Sequence, residues 1–166
     1  MAEQQENNNL EGKYLSFHIG AEEYGISILK IREIIGMMAI TAMPQSPDYV
    51  KGVINLRGKV IPILDLRRRF GMAAAKQTEQ TCIIVLETGL APHRMILTGI
   101  VVDSVSEVQY IKAADIEAPA AFSAELDGSY ILGMAKSSGA VKIILDIEAV
   151  LGTDKIAMRE EINLPS

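Results

Sequence analysis

The sequence predicts an all-β protein with short helices, built as two tandem, pseudo-symmetric small barrels. Three observations carry that prediction. First, YVKGVINLRGKVIPILDLRRRFG (Tyr49–Gly71) recurs without a gap as YILGMAKSSGAVKIILDIEAVLG (Tyr130–Gly152). The two share Tyr, the first Gly, the hairpin Gly, Val, the Ile-Leu-Asp run and the final Gly. Second, the repeat extends upstream: Gly25-Ile26-Ser27-Ile28 with Ile31 and Glu33 matches Gly99-Ile100-Val101-Val102 with Val105 and Glu107. Third, many short strands with glycine turns in a half of this size imply a closed or nearly closed barrel. Each half alone would have a very small core, so the two pack side by side.

Residues 1–12 are dominated by Gln, Asn and Glu and read as disordered. Tyr14 to Ile19 alternates as a half-buried strand, Gly20 to Glu23 turns, and Tyr24 to Ile28 returns. Ile31, Ile34 and Ile35 shift to helical spacing, which fits either a helical turn or a bent strand. Ala39 to Met43 reads as a short strand closed by Pro44 and Pro47. In the repeated unit, two strands meet at Arg57-Gly58, and Asp65 and Gly71 bracket a short helix as N-cap and C-terminal stop. Val50, Ile54 and Leu56 share one strand face. The return strand is apolar on both faces and needs a partner beyond its own core, either the other barrel or another protein. Pro62 cannot donate to a ladder, which places an exposed edge or a bulge there.

Residues 72–80 form the linker between halves. Thr81–Glu87 and Arg94–Val102 are strands, Val105–Ile111 continues or bends away, and Ala113–Asp127 holds a short helical turn and a loop marked by Pro119. The packed domain runs over 13–152, and 153–166 is a polar tail with partial helical character.

The 166-residue chain is 49% hydrophobic but only 5% aromatic and has no Trp, so its interior is built mainly from Ile, Val, Leu and Met. A net charge of −5 argues against nucleic-acid binding, which needs clustered cations. Cys82 is the single cysteine, which excludes an intramolecular disulfide and a Cys-based metal cluster. No signal peptide or membrane-length apolar run occurs, so the reading is a cytoplasmic protein without direct membrane insertion.

Catalytic chemistry needs convergent titratable groups. His18 and His93 stand apart and read as solvated. Asp65 and Asp146 precede equivalent helices, so N-capping explains both. No phosphate loop, nucleophile elbow or zinc spacing is present. The sequence therefore predicts no enzyme, no metal site and no cofactor. Comparing the copies is more informative. The hairpin glycine recurs as Gly58 and Gly139, whereas Arg57 becomes Ser138. The fold does not require that arginine, and an arginine beside an apolar flank is typical of interface anchors. Glu33 recurs as Glu107, which allows a shared structural role. Arg67–Arg69 read as a solvated face that complements the helix dipole.

EEYGISILKIREI (Glu22–Ile34), VKGVINLRGKVIPILDLRRRFG (Val50–Gly71), GIVVDSVSEV (Gly99–Val108) and KIILDIEAVL (Lys142–Leu151) resemble the CheW family of chemotaxis coupling proteins. The likeness spans Lys13 to Gly152, and the NLRG hairpin tip is its most specific part. The resemblance implies two intertwined five-stranded SH3-like barrels and a non-enzymatic adaptor. Its implied partners are the cytoplasmic tips of methyl-accepting chemoreceptors and the regulatory domain of the histidine kinase CheA, in membrane-associated arrays. It places receptor contact at Ile31, Glu33, Gly52 and Arg57, and kinase contact on barrel-end strands without assigning residues. Ser27, where relatives commonly carry Asp, and the SSG tip depart from the pattern. A paralogue serving another chemosensory pathway is the alternative reading.

Overall fold

β-branched runs broken by glycine turns give eleven strands among the described residues; the structure is a computed structural model and describes residues 10–91, 94–118 and 130–152. In chain order they are β1 (Gly12–Ile19), β2 (Glu22–Ser27), β3 (Ile31–Gly36), β4 (Val50–Leu56), β5 (Lys59–Asp65) and β6 (Cys82–Ala91). There follow β7 (Arg94–Val102), β8 (Ser104–Ile111), β9 (Ile116–Glu117), β10 (Ile131–Ser137) and β11 (Ala140–Leu145). Helix α1 is Leu66–Arg69 and α2 is residues 147–152. Their caps follow the sequence reading. The Asp65 carboxylate accepts from the Arg67 amide at 3.0 Å, and Asp146 accepts from Ala149 at 3.2 Å.

The strands form two SH3-like barrel sheets, ordered β3-β6-β7-β5-β4 and β8-β1-β2-β11-β10-β9. The second has six strands because the two-residue β9 adds to its edge. Neither sheet is made from one copy of the repeat. Hairpin β1–β2 from the first copy lies in the second barrel, and hairpin β6–β7 from the second copy lies in the first. Each exchange is sealed by a short parallel ladder, Ile144↔Gly25 in one barrel and Ile63↔Gly99 in the other. Strands on either side of residues 72–80 thus enter both barrels.

Three apolar clusters follow from this topology. Ile54, Ile61, Ile63, Ile83 and Val85 fill the first barrel, and Tyr14, Ile111, Ile116, Ala135 and Ile144 fill the second. The largest draws on both sheets and both helices, through Phe17, Tyr24, Leu64, Phe70, Leu145 and Val150. Rings of Phe17, Tyr24, Phe70 and Tyr130 run through it with successive centroids 5.7, 5.5 and 6.1 Å apart. Strand β5 needs a partner on each face because Ile61 and Ile63 enter the first barrel while Leu64 enters the shared core. Val60 on the same strand stays exposed.

Four local expectations are settled or changed. Residues 31–36 are a strand; the helical spacing of Ile31, Ile34 and Ile35 reflects a register shift between Ile31 and Glu33 after a 3-10 turn at Ile28–Lys30. The Ser27 hydroxyl caps that turn by accepting from Leu29 at 3.2 Å, a role within reach of either Ser or Asp. Residues 39–43 make one bridge, Thr41↔Val53, rather than a strand. A second shift between Val50 and Gly52 rotates Val50 into the shared core, away from Ile54 and Leu56. At Pro62 the missing donor is harmless. Its partner Val53 spends its own N–H and C=O on Thr41, and the β7 ladder begins only at Ile63.

The arginine run is not a solvated face. Only Arg68 is exposed. Arg67 holds both oxygens of Asp103, at 3.0 and 2.6 Å. The Arg69 guanidinium lies 4.6 Å from the Tyr49 ring centroid and 5.2 Å from that of Tyr130, and donates to the Val150 carbonyl at 2.8 Å. The two tyrosines are repeat equivalents, so Arg69 joins the halves on their pseudo-twofold. Burial alone would raise the Asp103 carboxyl, but hydrogen bonds from Arg67 and the Gly20 amide outweigh it and hold it below the usual value. A carboxyl lowered on folding stabilises above its unfolded pKa, and that contribution fades as pH falls through the folded value. Asp103→Asn should therefore lower the melting temperature near neutral pH and flatten its decline below about pH 4, which thermal melts across an acid series will read.

Candidate functional site

The hairpin tip between β4 and β5 is a two-residue turn with φ of 51° at Arg57 and 88° at Gly58. Both signs are positive, the type I′ geometry whose twist matches the flanking strands. Ser138 and Gly139 repeat it at 51° and 80°. A turn that puts a non-glycine residue at positive φ in both copies is a backbone requirement. The side chain placed there is free to differ.

Arg57 projects from this tip with 70% of its side chain exposed and forms an ion pair with Glu33 of β3. That pair bridges the two outer strands of the first sheet. Beside it lies a groove of about 210 Å³ lined by Arg32, Glu33, Leu56, Arg57, Lys59, Ile61 and Leu97. Leu56, Ile61 and Leu97 give it an apolar floor continuous with the barrel interior. Three cations and one carboxylate rim it, a positive surface on a chain of net charge −5. Arg32 also pairs with Glu87 at 3.4 Å. An apolar floor with a cationic rim suits an amphipathic segment that carries carboxylates.

The structure brings together two of the four residues assigned to receptor contact, Glu33 and Arg57. Ile31 is half-buried on the same strand and packs against the shared core. Gly52 is buried at φ 145°, where a Cβ would stand 2.0 Å from the Thr41 carbonyl oxygen. Its equivalent Gly133 is crossed in the same way by Ile116 and Glu117, at 2.8 and 3.0 Å from a Cβ. Both glycines therefore admit a second chain segment across the hairpin base, the Thr41 bridge at Gly52 and β9 at Gly133. Arg32, Lys59 and Leu97 were missed in the sequence; two exposed basic residues and a half-buried leucine on separate strands give no sign that one groove collects them.

A second hollow, about 300 Å³, is lined by His18, Gln80, Cys82, Ser104, Val105 and Ser106. Burial pushes the Cys82 thiol up, away from thiolate character. Among the described residues no group of three or more His, Cys, Asp or Glu side chains is placed to hold a metal ion. His93 lies outside the described residues, as do most of the 1–12 segment and the 153–166 tail. No helix among the described residues is long and apolar enough to cross a membrane.

Comparison with known proteins agrees with the duplicated barrel. The CheW-like domain family matches residues 13–155. The chemotaxis protein CheW of Klebsiella aerogenes is 38% identical over 150 residues, covering 90% of this chain and 87% of that protein. That of Helicobacter pylori is 35% identical with the same coverage, 90% and 87%. Among solved structures, the scaffolding protein TtCheW from Thermoanaerobacter tengcongensis superposes with a TM-score of 0.76 at 31% identity, over 85% of this chain and 92% of that one.

Proposed function

The chain belongs to the CheW-like domain family, and on that premise we propose that it is a non-enzymatic scaffold of chemotaxis signalling. It holds the cytoplasmic tips of chemoreceptors against the regulatory domain of the histidine kinase CheA, and works in the cytoplasm on membrane-associated arrays. The observation that carries this reading is the groove at Arg57. Its hairpin scaffold is present in both barrels, yet only the first arms it with an exposed arginine beside an apolar floor. Such a surface suits a partner helix tip, with Arg57 as the central anchor. Ile31 and Gly52 support the groove from behind, shaping β3 and the hairpin base. Influence on kinase output follows from unequal affinity for two receptor or kinase states, because a bridge that binds both equally shifts nothing.

The test is size-exclusion chromatography of the purified chain with a receptor-tip fragment, with the co-encoded kinase, and with both. Co-elution with each and a ternary complex with both are the expected results. Failure to bind either partner overturns the reading.

A further inference from the structure

Lys142 of β11 is buried, with 5% of its side chain exposed. Its ammonium donates to Ser16 Oγ at 3.0 Å and Gln109 Oε1 at 2.6 Å, and lies 3.6 Å from the carboxylates of Glu23 and Glu107. The duplication shows what each residue replaces. Lys142 is equivalent to Ile61, Gln109 to Ile35, and Ser137, whose hydroxyl accepts from Gln109 Nε2 at 2.7 Å, to Leu56. The strand registers pair Ser16 with Gly25 and Val85 with Gly99, and set His18 opposite Glu23 and Glu87 opposite Leu97. Ser16 therefore stands where the first barrel has Val85, and Glu23 where it has Leu97. One barrel is keyed by Ile61 against Val85 and Leu97, the other by Lys142 against Ser16 and Glu23.

The contacts to Ser16 and Glu23 span the junction where hairpins are exchanged, whereas Gln109 and Glu107 come from the same copy as Lys142. The β5–β7 and β2–β11 ladders use equivalent residues, Ile63 with Gly99 and Ile144 with Gly25, so the backbone at each junction accepts either hairpin. Were each copy to close on its own hairpin, Lys142 would face Val85 and Leu97, and Glu23 and Ser16 would face Ile61. That arrangement leaves Lys142 only Gln109 and Glu107 of its own copy, sets the rest of its surroundings in hydrocarbon, and turns the buried Ser16 hydroxyl and the Glu23 carboxylate against apolar side chains. In the exchanged arrangement every one of them is matched.

We propose that Lys142, Ser16 and Glu23 form a polar key that assigns each hairpin to its barrel, selecting the exchanged connectivity over the self-closed one. Buried polar groups are best attested in this role, fixing register and pairing among otherwise equivalent partners. The key acts on the choice between two folds of one sequence and owes nothing to which partners the surface binds.

The test is the triple variant Ser16→Val, Glu23→Leu and Lys142→Ile, which gives the second barrel the residues that already pack in the first. Wild-type protein and variant are unfolded in guanidinium, refolded, and compared by amide-resolved NMR. The wild type should return one set of resonances. The variant should return two sets for residues of β1, β2, β6 and β7, with the minor set at a tenth or more of the major. Long-range backbone contacts will identify it, since the self-closed form brings Gly25 beside Ile63 and Gly99 beside Ile144. A single set with wild-type contacts overturns the proposal. Failure of the variant to refold also overturns it, because the same apolar set must be able to fold in either connectivity.

Discussion

Arg57→Glu should leave the far-ultraviolet circular dichroism and the melting temperature close to wild type while weakening receptor-tip binding about a hundredfold, ~2.7 kcal/mol. The stability half of this expectation rests on exposure. The Arg57 side chain is 70% solvent-accessible, and an exposed ion pair contributes about 0–1 kcal/mol. Positive φ at that position is imposed by the turn and is unchanged by the substitution. The binding half rests on chemistry. Reversal sets a new carboxylate beside Glu33, removes the guanidinium from the groove rim and repels the carboxylates of an acidic partner. Ser138→Glu supplies the control, since it places the same charge on the equivalent tip of the other barrel. Equal loss in both variants, or retained binding with Arg57 reversed, would sink the assignment of the groove.

Gly52→Ala should do the opposite, costing about 3 kcal/mol or more and lowering the melting temperature by roughly 10 °C. The methyl group would stand 2.0 Å from the Thr41 carbonyl oxygen and 2.7 Å from its carbon. Neither is the end of a flexible side chain that could swing aside. The backbone there also holds φ 145°, which alanine adopts only under strain. The 39–43 segment must lift off the hairpin, taking its bridge to Val53 with it. Any loss of receptor binding in this variant should therefore track the loss of folded protein in thermal melts. A Gly52→Ala protein with wild-type melting that still loses receptor would instead make Gly52 a contact residue.

The contrast between these variants shows which parts of the site could be read from sequence. Arg57 could be singled out because the repeat supplies its own control, a copy of the same turn with Ser138 in its place. Gly52 could be explained by fold alone for the converse reason, since Gly133 repeats it. Both hairpins, both helix caps and the barrel duplication were legible for that reason. What the repeat could not reveal is the direction of the exchange, because Ile63–Gly99 and Ile144–Gly25 look the same from either copy. Arg67 and Arg69 were misread as solvated because their partners are distant in sequence. Asp103 is thirty-six residues from Arg67, and the Tyr49–Tyr130 slot exists only once the halves meet. For β3 the sequence left a helical turn and a bent strand both open, because the register shift at Ile31/Glu33 breaks the alternation by which a strand is recognised.

The exchange of hairpins between barrels also bears on how a bridging protein fails. A linker of two independent modules, if nicked between them, leaves fragments that each occupy one partner and block intact molecules from joining the pair. Here a cut at residues 72–80 would leave two pieces whose strands still interlock in both sheets, so they stay together or unfold together. On the proposed function, half-molecules that could occupy one partner alone should then not arise, since each sheet needs strands from both pieces.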